Sequence, residues 1–186
     1  MLTINFHPFK NLETDRLLLR RLNVNDVNEV LELRGNPETM KFIPRPLAKS
    51  KEDALEHIAL IEEKIVNNIG INWAITLKDN PKLIGIIGHY KIQPENYRAE
   101  IGYMILPEYH GKGIVTEAIK VVVNYGFEDM QLHSIEAIID PENRASERVL
   151  QKSGFVKEAH ILENEFYDGK FLDTVIYSLL KRNFKK

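Results

Sequence analysis

The stretch AEIGYMILPEYHGKGIVTEA, Ala99 to Ala118, decides the fold class of this chain. Ile101, Tyr103, Met104, Ile105 and Leu106 make an apolar run of strand length that stops at Pro107. A turn with His110, Gly111, Lys112 and Gly113 leads into the apolar helical pattern that opens at Ile114, Val115 and Thr116. Strand, glycine turn and helix start, in that order, bind anions. The glycines let the backbone come close, successive N–H groups converge, and the helix N-terminus adds partial positive charge. Two nucleotide loops fit poorly. A Walker A loop needs Ser or Thr directly after Gly-Lys, where Gly113 stands, and a dinucleotide fingerprint needs a third glycine where Thr116 stands.

A second unit runs from Leu132 to Phe155, LHSIEAIIDPENRASERVLQKSGF. Ile135, Ala137 and Ile139 alternate with Ser134, Glu136 and Ile138, which suits a strand. Asp140-Pro141 breaks it, Asn143 is a good N-cap for a helix bearing Ala145, Val149 and Leu150, and Gly154 ends that helix. Outward from these units the same reasoning places a strand around residues 16–22. A helix follows from about Asp26, stopped by Gly35-Asn36-Pro37, and then a loop at Pro44-Arg45-Pro46. Ser50 and Asp53 form a capping-box start for a helix over residues 51–67 that buries Ala54, Leu55, Ile58, Ile61 and Ile65. Strands are expected at 71–77, 83–92, 98–106, 155–165 and 171–181, the last two joined by Asp168-Gly169, a hairpin signal.

Asn143-x-x-Ser146 and Lys152-x-Gly154-Phe155 in the second unit, following the glycine turn, resemble the GCN5-related N-acetyltransferase (GNAT) superfamily. Glu13-Thr14-Asp15-Arg16-Leu17, Gly102-Tyr103 and Thr116-Glu117-Ala118 resemble its ribosomal-protein-alanine N-acetyltransferase branch. The likeness runs from about Leu12 to Leu180. It implies one domain over residues 1–186 with its core motif at 98–155. The implied fold is α/β, a mixed, mostly antiparallel twisted sheet of about seven strands flanked by about four helices.

Composition agrees. The chain has 186 residues, 44% of them hydrophobic, which suits one domain with a substantial core. A net charge of −2 gives no electrostatic footprint for nucleic acid. There is no cysteine, so disulfides, thiolate metal sites and a cysteine nucleophile are excluded together. The six histidines show no metal-ligand spacing, so no metal is expected. No apolar run has the length of a membrane span and no secretory pattern opens the chain, so a soluble cytoplasmic protein is expected.

The resemblance further implies that acetyl-coenzyme A lies along the strand ending at Leu106, in contact with Tyr103, Met104 and Ile105. Its pyrophosphate would sit over the amides of His110, Gly111, Lys112, Gly113, Ile114 and Val115, and Thr116 would also touch the cofactor. Gly113 matches the family's loop pattern, whereas His110 and Val115 depart from it. Lys112 either adds a point charge near the anion or is a solvated turn lysine. Asn143 either bonds the pantetheine arm or simply caps its helix.

Transfer of acetyl to an amine needs a deprotonated amine, a donor for the tetrahedral oxyanion, and help for the departing thiolate. A free backbone N–H near Met104 or Ile105 suits the oxyanion. The tyrosine that serves many family members as acid is replaced here by Leu150, and the branch's alternative, Ser146, is either that acid or a small spacer. Glu100 is the leading general base, against the reading of an ion-paired carboxylate at a strand edge. Glu165, Tyr167 and His89 are reserves, and Trp73 either lines the acceptor pocket or packs in the core. The expected activity is direct acetyl transfer from acetyl-CoA to a primary amine, either a protein N-terminus or a small molecule. A second reading keeps an acyl-CoA cleft without turnover, as a regulatory module. Oligomeric state is open between monomer and homodimer.

Overall fold

The computed structural model describes residues 1–185. Its eight strands form one sheet in the order β1-β2-β3-β4-β5-β6-β8-β7. They are β1 (Leu12–Glu13), β2 (Leu17–Arg20), β3 (Ile71–Leu77), β4 (Asn80–Gln93), β5 (Arg98–Ile105), β6 (Ser134–Ile139), β7 (Val156–Tyr167) and β8 (Lys170–Leu180). The helices are α1 (Val27–Gly35), α2 (Pro37–Met40), α3 (Lys51–Val66), α4 (Ile114–Glu128) and α5 (Arg144–Lys152). The sheet exceeds the expected seven strands by β1, whose two residues are too short to carry any periodicity. The extra helix is α2. Asn36-Pro37 does stop α1, but the Asn36 side chain accepts from Glu38 N–H and Thr39 N–H, so the stop is also a new N-cap.

Every sheet neighbour pairs antiparallel except β5 with β6. That parallel pairing lasts only from Arg98–Glu100 against Ser134–Glu136. Beyond it the two strands run on without pairing and open a wedge in the middle of the sheet.

The core lies on both faces. Leu83 to His89 is buried without interruption, which a strand achieves only when both faces are covered. α4 covers one face: Trp73 meets Tyr125 edge-on at 5.1 Å, and His89 Nε2 bonds Val122 O at 2.9 Å. α1 and α3, packed on each other, contact β4 and β3 and cover the other face. α3 buries Ala54, Ile58, Ile61 and Ile65 as its period predicts, but Leu55 is exposed because it lies off that stripe. Among the described residues no helix is long and apolar enough to cross a membrane.

Candidate acetyl-transfer site

The glycine turn is built as its sequence requires. Gly111 has φ +70° and Gly113 φ +75°, left-handed values that favour glycine, and Gly113 is the N-cap of α4 with no capping side chain. The first N–H groups of α4 therefore face outward without an internal acceptor. A Cβ at Gly111 would meet nothing within 4 Å, so the space over the turn is open. One clamp holds the turn from behind. Arg16 donates to Lys112 O at 3.1 Å and, through Nε, to Glu117 at 2.7 Å, and Thr14 Oγ1 bonds the same carboxylate. Two short motifs, whose Arg16 and Glu117 are 101 residues apart in sequence, thus form a single structure.

The wedge between β5 and β6 continues from this turn. The ladder bond from Leu106 N–H to Ile84 O, carried along the regular β4–β5 register, turns the even-numbered residues of β5 toward β4. Tyr103 and Ile105 therefore present their backbone N–H and C=O groups toward the wedge. Of the two expected oxyanion donors, the Ile105 N–H has this orientation, and Met104 N–H belongs to the β4 ladder. Ile105 O meets the His110 ring at 3.2 Å.

A cavity of about 440 Å³ joins wedge and turn. Tyr103, Met104 and Ile105 line it from β5, and His110, Gly111, Gly113, Ile114, Val115 and Thr116 from the turn and α4. Asn143 and Ser146 line it from α5. Leu106 and Lys112 are not on its wall. Leu106 is buried and bonded to Ile84, and Lys112 Nζ lies over the Tyr109 ring at 5.2 Å. The Asn143 carbonyl caps α5 by accepting from Ser146 N–H at 3.1 Å, which leaves its amide NH₂ free to donate. Tyr103 Oη has no hydrogen-bond partner and neighbours Ser146, and burial pushes its pKa up to about 12.

Other expected residues fall elsewhere. Glu100 is buried behind the cavity wall, with Lys91 Nζ 2.7 Å from Oε2, and burial raises its pKa in spite of that ammonium. Leu150 is fully buried and packs α5 onto the core. His89 is enclosed beneath α4, and burial lowers its pKa to about 4. Trp73 is core, its Nε1 donating to Lys10 O at 2.8 Å. Glu165 lies on the exposed strand β7. Tyr167 instead lines a second cavity, of about 310 Å³, with Asp140, Asp168 and the α2 region. Lys41, Phe42 and Ile43 line both cavities.

Several wall residues went unforeseen. Ala145, Arg148, Val149 and Lys152 form one stripe of α5 that faces the larger cavity, and their helical spacing is legible once the helix is accepted. Glu38 and Thr39 carry no periodic signal, because α2 is a single turn.

Acetyl-coenzyme A can be tested against this geometry. An open backbone cradle, a wedge with free N–H groups and the basic Arg148 and Lys152 on the same wall suit a phosphate-bearing thioester. Among the described residues no group of three or more His, Asp or Glu could hold a metal ion.

Comparison with known proteins agrees. The acetyltransferase (GNAT) domain profile matches residues 16–156. The uncharacterized N-acetyltransferase YoaA of Bacillus subtilis is 36% identical over 173 residues, spanning 93% of this chain and 98% of that one. A GNAT-family acetyltransferase from Bacillus anthracis superposes with a TM-score of 0.82 at 29% identity, covering 93% of this chain and 99% of that one. The ribosomal L7/L12 acetyltransferase RimL in complex with coenzyme A superposes at 0.83 with 18% identity, covering 92% and 98%, a likeness of fold. A glycine cradle at the head of α4, a sheet split beside it and these matches along most of the chain make this protein a member of the GNAT acetyltransferase family.

Proposed function

We infer that the protein transfers acetyl from acetyl-coenzyme A directly to a primary amine, with donor and acceptor bound together. The carrying observation is the continuity of the glycine cradle with the β5–β6 wedge in one cavity. The pyrophosphate lies over the Gly111–Gly113 turn and the N-terminus of α4, and the pantetheine arm runs in the wedge beside Asn143. The thioester carbonyl meets the backbone N–H of Ile105. The amine enters from the α2 side, past Phe42 and Ile43. Its nitrogen attacks the carbonyl carbon, the C–S bond breaks, and the thiolate takes a proton at the end of α5, where Ser146 stands. Glu100 receives the proton that the amine loses, and burial raises its affinity for it. The absence of cysteine favours this direct route over an acyl-enzyme. The acceptor is a protein N-terminus or a small molecule, and one domain carries the whole reaction.

The test is thermal melting with acetyl-CoA, followed by thiol release with peptide and small-molecule amines. A hundredfold excess over the dissociation constant stabilises the fold by about 2.7 kcal/mol. Gly113→Val is expected to abolish that shift, since at φ +75° a β-branched residue is strained and its Cβ comes 3.6 Å from the Arg16 guanidinium that holds the turn, so the N–H cradle is distorted. No shift in folded wild-type protein at millimolar acetyl-CoA would reject the reading.

A further inference from the structure

Glu100 is shut off from the cleft, and the strands beside it supply a connection. Tyr90 on β4 stands directly opposite Glu100 on β5. Just after Tyr90 the β4–β5 register breaks, and Lys91 takes φ +46°. In a regular strand Lys91 would point to the face opposite Tyr90. The irregularity re-aims it, as bulges do, so that Lys91 Nζ reaches Glu100 Oε2 at 2.7 Å while its side chain stays 63% exposed. Tyr90 turns its hydroxyl toward the same carboxylate.

Gly102 explains how that hydroxyl is seated. An ideal Cβ on Gly102 would lie 1.7 Å from Tyr90 Oη, so the tyrosine occupies the place of the missing side chain. Gly102 has no left-handed φ that would otherwise favour glycine. Its neighbour Tyr103 lines the larger cavity, and the Arg45 guanidinium, on the wall of the smaller one, acts electrostatically on Tyr90. The remaining charged group near Glu100 is Glu136 on β6, held by Arg98 at 2.8 Å.

We propose that Tyr90 relays the acceptor's proton to Glu100, with Gly102 as the notch that seats its hydroxyl and Lys91 as the outlet to solvent. The relay rests on the reaction inferred above. The ammonium gives a proton to Tyr90 Oη while the Tyr90 O–H gives its own to the Glu100 carboxylate. Tyr90 is unchanged, the amine gains its lone pair, and neutral Glu100 returns the proton to water past Lys91. Burial raises the Tyr90 pKa, so the phenol stays protonated and ready to donate.

The experiment compares wild type, Tyr90→Phe, Glu100→Gln and the double variant in pH profiles of kcat/KM for the amine, with melting shifts by acetyl-CoA as a parallel readout. Each single variant is expected to lose about 10²-fold at neutral pH and to recover toward high pH, where the amine is already deprotonated. The double variant is expected to be no worse than the more impaired single, because two members of one path fail together. Gly102→Ala, which displaces the hydroxyl, is expected to give the Tyr90→Phe profile. Acetyl-CoA melting shifts stay at the wild-type value throughout. An active wild type with an unimpaired Tyr90→Phe, or with deficits that multiply in the double variant, overturns the relay alone. A wild type that neither binds acetyl-CoA nor turns over any amine overturns the underlying reaction, and the relay with it.

Discussion

Ser146 and Leu150 lie one helical turn apart on α5, and the fold treats them oppositely. Leu150 is fully buried, so no donor can serve the thiolate from that position. Ser146 lines the cavity and neighbours the unpartnered Tyr103 hydroxyl. If Ser146 helps the leaving group, Ser146→Ala lowers kcat by about 10²-fold at all pH values. The acetyl-CoA melting shift is expected to stay as in wild type, because the backbone N–H that Asn143 caps remains in place. Steady-state kinetics decide this: full activity in the alanine variant makes Ser146 a spacer. Glu100 differs in kind. Its residue type and strand position are legible in sequence, but its enclosure by Tyr90, Lys91 and Glu136 depends on three segments that only pairing brings together.

At the scale of elements, the start of α4 depends on the loop that leads into β2. Arg16 reaches both the Lys112 carbonyl and the Glu117 carboxylate, and Thr14 shares that carboxylate. Removing Arg16 frees the turn that carries the phosphate-facing N–H groups while leaving β5 and α5 untouched. Arg16→Ala is therefore expected to raise the KM for acetyl-CoA by about tenfold, equivalent to the loss of about one hydrogen bond, with kcat nearly unchanged. A fall in kcat at constant KM would show that the clamp serves chemistry rather than binding. The sequence displayed both halves of this clamp as family-like motifs, and neither half named the other.

At the scale of the whole molecule, β3, β4 and the first half of β5 are covered on both faces, and one consequence is acid sensitivity. His89 is buried neutral beneath α4, with its pKa lowered to about 4, whereas in the unfolded chain it titrates near its ordinary value. Between those two values the unfolded state binds more protons, so stability rises with pH there and falls on acidification. Urea unfolding at stepwise pH is expected to lose stability from about pH 6.5 downward, at up to about 1.4 kcal/mol per pH unit from this one group. His89→Gln retains a donor for Val122 O and is expected to flatten that slope. An unchanged slope would assign the acid lability to other groups.

Local chemistry was sufficient for much of this protein. The glycine turn, the capped starts of α3 and α5, the Asp168-Gly169 hairpin and the apolar strands follow from backbone preferences and burial patterns that act over a few residues. Those features, with the motifs around Gly113 and Asn143, carried the family and many residues of the larger cavity's wall. Two short elements, β1 and α2, escaped because neither is long enough for a period. Only the tertiary structure decided where β5 and β6 part, which strand edge offers its N–H groups, and which side chain stands over Gly102. Those outcomes depend on register and twist between segments far apart in the chain, which no local pattern encodes.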